Sequence, residues 1–220
     1  MVYFIIAYIA MLFLYFYTRN SGKMSWRAPN KIILASMFLG FAIFQFQDHY
    51  QLQSYHLVLM VALVFAWMGD VFLLFDLSRG GDFFLCGNIC FFTYEMTVLI
   101  DQGHSFADFW WVILVAVLLI GLFIWLAQRY PEKLKLGKMR WPMTLYLTSI
   151  SLHGIMGLAL MVLLPGTNWA LMGLGSFLFM LSDFILTFDR FVMPDNKWIV
   201  RSNSASYFIG LLLIVLSMAK

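Results

Sequence analysis

Eight apolar stretches divide this chain, at residues 2–18, 31–47, 55–76, 83–100, 109–128, 141–164, 169–188 and 202–219. A helix that crosses ~30 Å of hydrocarbon needs about 20 residues, with about 17 as a lower limit. Each stretch is close to that length. In hydrocarbon the backbone can satisfy its own amides only as a helix or a closed barrel. These runs are continuous rather than alternating with period two, which argues for helices. The connections are short, as in a compact bundle. The expected fold is all-α: one integral membrane domain over residues 1–220, a polytopic transmembrane bundle of about eight helices. Only 11% of the residues are charged and 63% are hydrophobic. A soluble domain carries about 25% charged residues, so a soluble fold is excluded.

The first stretch could be taken for a signal peptide. However, Met-Val-Tyr-Phe has no positive n-region and no Ala-x-Ala site follows, so a retained helix is expected. Arg19, Lys23, Arg27 and Lys31 come after it. The remaining basic residues sit in the third connection (Arg79), the fifth (Arg129, Lys133, Lys135, Lys138, Arg140) and the seventh (Arg190, Lys197, Arg201), and Lys220 alone falls on the other side. Cytoplasmic loops carry the excess of Lys and Arg, so both termini are expected outside. The net charge of +3 is this signature and implies no nucleic-acid partner. A multi-pass protein of a bacterial cytoplasmic membrane is the expected setting. Cys86 and Cys90 stand four apart with no ligand residues nearby, which argues against a disulfide or a metal site. They read as small buried packing residues.

Residues 69–76 read Gly-Asp-Val-Phe-Leu-Leu-Phe-Asp, and residues 182–189 read Ser-Asp-Phe-Ile-Leu-Thr-Phe-Asp. The same offset of 113 pairs Asp70 with Asp183, Asp76 with Asp189, Tyr94 with Tyr207 and Pro29 with Pro142. Lys-Met-Ser-Trp (23–26) echoes Lys-Met-Arg-Trp (138–141) at an offset of 115. The third and seventh spans run the same way. The pattern is that of two parallel four-helix halves, 1–108 and 109–220, related by an axis along the membrane normal.

An aspartate at a helix centre costs about 2.5–3.5 kcal/mol on insertion scales, so it turns to a bundle interior or a wet cavity. Asp70 and Asp183 are each expected ~9 Å from the cytoplasmic end of a span, at ~1.5 Å rise per residue. Asp76 and Asp189 are expected at the rim, near Arg79 and Arg190. Polar residues recur on single helix faces: Asn88, Glu95 and Gln102; Tyr146, Ser149 and His153; Ser176, Asp183 and Thr187; Asn203 and Tyr207. Together they describe one polar cavity open toward the cytoplasmic half. Helix-to-helix hydrogen bonding is the other reading of such polar faces.

His-x-x-x-His, a Cys cluster and His-Glu-x-x-His are missing from the sequence, and only His153 is clearly intramembrane, which argues against zinc. Gly-x-Ser-x-Gly is also missing, which argues against a serine hydrolase. The chemistry left is a carboxylate set: Asp70, Asp183 and Glu95. Two carboxyl groups sharing a low-dielectric site can hold one proton between them, one as donor and one as anion. That arrangement suits acid–base hydrolysis through an oxocarbenium-like state. A transporter of a small polar or lipid-like solute is the second reading, since parallel repeats and intramembrane carboxylates occur there too. It predicts helices broken by Gly or Pro in both halves, and neither Asp-bearing span has an internal proline. A non-catalytic lipid-binding or scaffold protein is the third.

Gly-Asp-Val-Phe-Leu-Leu (69–74), Gly87 with Phe91, and the run Gly-x-x-x-Phe-x-x-Ser-Asp-x-x-Leu carried by Gly175, Phe179, Ser182, Asp183 and Leu186 are ordered short motifs. In them the chain resembles the lysoplasmalogenase-like YhhN family, from the third span to the eighth. Two positions depart from the family pattern: Glu95 stands where a histidine is usual, and Tyr-Phe-Ile-Gly (207–210) replaces Tyr-x-x-Ala-Gln. The resemblance implies hydrolysis of the vinyl ether bond of lysoplasmalogens to a fatty aldehyde and a glycerophospho-headgroup, with no metal or redox cofactor. It implies a lysophospholipid substrate drawn from membrane lipid. Asp70, Asp183 and Glu95 are then the candidate catalytic residues. Asn88, Tyr94, His153, Asn203 and Tyr207 are candidate substrate contacts, and Arg79, Lys197 and Arg201 are candidates for the phosphate.

Overall fold

The computed structural model describes residues 2–20, 24–48, 55–132, 134, 136–192 and 196–218, and every regular element among them is helical. The helices are α1 (Val2–Asn20), α2 (Met24–Asp48), α3 (His56–Phe72), α4 (Leu77–Asp101), a single turn α5 (Phe106–Phe109), α6 (Trp111–Arg129), α7 (Arg140–Leu163), α8 (Asn168–Phe191) and α9 (Lys197–Leu216). Seven candidate spans are long and apolar enough to cross a membrane, one of them taking in α5 with α6, while α3 has only 17 residues. The expected third span, 55–76, is thus shortened at its end. Large apolar side chains such as Phe13, Phe44, Leu118 and Trp125 point outward. Apolar surface on that scale calls for lipid rather than water. The chain is a multi-pass integral membrane protein.

The cause of the shortening is a corner. Gly69 O accepts from Leu73 N at 2.9 Å and Phe72 O from Asp76 N at 2.8 Å, which closes α3. Asp76 then takes extended backbone angles and caps α4, its side chain accepting from Ser78 N at 2.8 Å and Arg79 N at 3.4 Å. A side-chain oxygen at this position satisfies amides the first helical turn leaves open. A Cβ on Gly80 would sit 2.9 Å from the Leu73 backbone, so the corner needs glycine there. The matching segment of α8 has no such corner and stays helical to Phe191. The two Asp motifs therefore fold differently at their ends. Asp76 is a half-exposed cap, whereas Asp189, in the last turn of α8, is buried and within electrostatic reach of Arg19.

Helices α2, α3, α4, α7, α8 and α9 pack in a closed ring, each against the next, with α9 returning to α2. Outside it, α1 lies against α2 and α9, and α6 lies against α7. Cys86 is exposed and Cys90 half-buried, both as free thiols, so Cys86 faces outward from α4 rather than packing inside as expected.

Candidate functional site

Asp70 lies in the last turn of α3 and is only 2% exposed. Because Leu74 N–H turns to the Val71 carbonyl, the Asp70 carbonyl is left over at the helix end. Lys31 of α2 satisfies it: Nζ donates to Asp70 O at 3.2 Å and pairs with Oδ1 at 2.9 Å. The other carboxylate oxygen, Oδ2, accepts from Tyr207 OH of α9 at 2.8 Å. Three helices thus meet on one carboxylate. Sequence reasoning counted Lys31 as a loop charge, yet it is buried inside α2.

Asp183 lies inside α8, also buried. Its Oδ2 accepts from Tyr146 OH of α7 at 2.6 Å. Among the described residues no cation pairs with it. The two aspartates therefore share burial but differ in partner, an ammonium and a phenol for Asp70 and a phenol for Asp183. Lys31 and Tyr146 are related by an offset of 115, the offset at which Lys-Met-Ser-Trp echoes Lys-Met-Arg-Trp. That was the signal that could have placed both of them on the aspartates.

Asp70, Asp183, Asn203 and Tyr207 line one small cavity of about 50 Å³. Asn203 Nδ2 donates to Ser182 O at 2.6 Å, which ties α9 to α8 beside Asp183. Around the same cavity stand Arg19, Arg27, Lys31 and Arg190, none of them among the residues first named for the site. Next to it lies a larger cavity of about 530 Å³ between α4, α7 and α8, lined by Leu77, Leu85, Met143, Leu145 and Phe191 among others. Volumes of roughly 300–1,000 Å³ with apolar walls are usual for small-molecule sites. Leu73, Phe84, Leu186 and Arg190 line both cavities, so the polar and apolar spaces adjoin. Tyr146 lines the large one while its hydroxyl holds Asp183.

Glu95 is placed elsewhere. It lies fully buried on α4, its Oε2 3.1 Å from Nδ1 of His153 on α7, and lines neither cavity. Phe91 stacks on the His153 ring with centroids 4.8 Å apart. Asn88 Nδ2 is 3.4 Å from Ser149 Oγ, a contact along the same α4–α7 seam. Tyr94, the repeat counterpart of Tyr207, lies near the opposite end of the bundle, 3.0 Å from Nδ1 of His56 at the start of α3. Arg79 is exposed, 3.7 Å from Asp76. Lys197 is exposed and Arg201 lies over the Trp198 ring at 5.5 Å. None of these three basic residues lines either cavity.

Among curated proteins and among solved structures, none matches this chain. The YhhN family model matches residues 26–218, and the chain belongs to that family, which includes lysoplasmalogenases.

Proposed function

We propose that this protein is a membrane hydrolase that cleaves the vinyl ether bond of lysoplasmalogens, with Asp70 and Asp183 as its catalytic pair. The observation that carries the reading is the meeting of two differently partnered buried carboxylates in a polar cavity that adjoins a larger apolar one. An alkenyl chain would lie in the apolar cavity and bring its enol ether to the junction.

Cleavage begins with a proton on the β-carbon of the vinyl ether, which leaves an oxocarbenium ion at the ether carbon. Water adds there and gives up a proton, and the hemiacetal collapses to aldehyde and alcohol. Asp183 carries the proton on Oδ1, since Oδ2 is taken by Tyr146. Asp70, the ion-pair partner of Lys31, is the anion that offsets the developing positive charge and orients water. A fixed charge aimed at a developing one needs little reorganisation in a water-poor site, which is why it lowers the barrier. Lys31 and Tyr207 are positioning residues that hold Asp70. The buried Glu95–His153 pair has no contact with either cavity and takes no step in this scheme.

The test is aldehyde release from a lysoplasmalogen by purified protein. Asparagine is nearly isosteric and cannot carry the acid proton, so Asp70→Asn and Asp183→Asn should each lose roughly 10²–10⁴-fold in turnover. The double variant should be little worse than either single one, because members of one catalytic unit are not additive. A folded single variant that works at the wild-type rate would refute the two-carboxylate scheme. Uptake of a labelled solute without any aldehyde would favour transport instead.

A further inference from the structure

The charges around the small cavity do not balance. Arg19, Arg27, Lys31 and Arg190 stand against Asp70 and Asp183. Lys31 is committed to Asp70. Among the described residues no carboxylate lies within ion-pair distance of Arg19, Arg27 or Arg190. Asp189 is within electrostatic reach of Arg19 but does not line the cavity. One Arg19 Nη bonds to Tyr15 OH at 3.2 Å and to Ser204 Oγ, which points the guanidinium toward α9. The Nε atoms of both Arg19 and Arg27 are buried and without a hydrogen-bond partner. Buried guanidinium N–H groups without an acceptor carry their full desolvation cost, so an arrangement of this kind is stable when an anion completes it. The guanidinium fork matches the paired oxygens of a phosphate better than a lone ammonium does.

Arg190 decides which kind of phosphate. It lines the polar cavity and the apolar one, at their junction. A ligand that uses both spaces is anionic at one end and a single hydrocarbon chain at the other. We infer that Arg19, Arg27 and Arg190 form a phosphate-binding subsite for the headgroup of a single-tailed lipid whose chain occupies the larger cavity. This rests on the proposed function for its choice of a lipid over free phosphate, and it moves headgroup recognition away from Arg79, Lys197 and Arg201. Arg19 comes from α1, which precedes the residues matched by the family model. The first helix is thereby a working part of the site.

The experiment measures binding apart from turnover. The full-length protein in non-ionic detergent is titrated with a 1-acyl lysophospholipid, which has no vinyl ether, with a monoacylglycerol of the same chain and with inorganic phosphate. Arg19→Gln, Arg27→Gln and Arg190→Gln should each weaken lysophospholipid binding about tenfold or more, the usual effect of deleting a charged hydrogen bond. They should leave monoacylglycerol binding unchanged. Arg27→Lys keeps the charge but loses the fork, and should fall between wild type and Gln. Inorganic phosphate should bind more weakly than the lysolipid. If it binds as tightly, the site serves free phosphate and the lipid assignment is wrong. Equal weakening of the lysolipid and of the neutral lipid would make the arginines structural and overturn the subsite. Because the probe cannot react, a failure of vinyl ether cleavage leaves this result standing, and the reverse also holds.

Discussion

The two buried aspartates are explained by the partners they found. Asp70 is tolerable in the bundle because Lys31 and Tyr207 meet it, and Asp183 because Tyr146 does. Removing one member of a buried ion pair costs about 3–5 kcal/mol, since the other is left uncompensated. Glu95 shows the other outcome. As a proton-handling group it was expected to face the substrate, but it is sealed against His153 beneath Phe91. Glu95→Gln should therefore lower the thermal unfolding midpoint in detergent, by an amount equivalent to about 1–3 kcal/mol for a disturbed buried bond. Turnover of the folded variant should fall far less than the roughly 10²–10⁴-fold expected for an acid–base residue. A loss of that size at unchanged stability would return Glu95 to the chemistry.

Among the helices, positions are set by how closely backbones approach. A Cβ on Gly175 would lie 2.6 Å from the Gly210 carbonyl oxygen, and one on Gly210 would lie 2.7 Å from the Gly175 oxygen. Gly157 and Gly173 make the same kind of crossing between α7 and α8. Small residues at crossings let helices pack tightly where lipid offers no hydrophobic drive. These crossings set α8 and α9 at the spacing that lets Asn203 reach Ser182 O. The two nearest atoms Gly210→Ala would push against are backbone, the Gly175 oxygen and Phe179 N, so it should destabilise by about 1–3 kcal/mol, as overpacking does. Aldehyde release should fall with it. Gly121→Ala on α6 meets nothing within 4 Å and is the control. Alanine is the better helix former, so that variant should be as stable as wild type or more so. Equal melting curves for the two variants would contradict the close-crossing argument.

For the whole molecule, the packing scheme has an internal correspondence. Exchanging α1–α4 with α6–α9 turns the α1–α2, α2–α3 and α3–α4 contacts into α6–α7, α7–α8 and α8–α9, and turns α4–α7 into α9–α2. Two parallel four-helix halves would give these four correspondences, whereas the α1–α9 packing has no α4–α6 counterpart of similar extent. Parallel halves of four spans each put both termini on one side, as the distribution of Lys and Arg also does. A reporter active only in the cytoplasm should be silent when fused after Lys220 and bright within residues 129–140. The opposite pattern would invert the orientation and place the arginine-lined cavity on the outer face. Lys23, Lys133, Lys135 and Lys220, counted in that distribution, and His49 lie outside the described residues.

The sequence by itself determined the solvent, the helical class, the approximate spans and the two buried aspartates. Each of these follows from local composition: hydrocarbon demands long apolar helices, and an Asp inside one demands a polar interior. The corner at residues 73–76 was less legible, because the Leu-Leu-Phe there reads as more span until the Asp76 cap interrupts it. Only the tertiary structure decided who meets whom. Lys31 and Asp70 are 39 residues apart, and Tyr207 and Asp70 are 137 apart. A charge at the start of an apolar run reads as a rim residue until the neighbouring helix is in place. For the same reason Glu95 and Tyr94, plausible on their own helix faces, turned to His153 and His56 instead of the cavity. Helix periodicity says which side chains share a face, but the packing of the ring decides what that face looks upon.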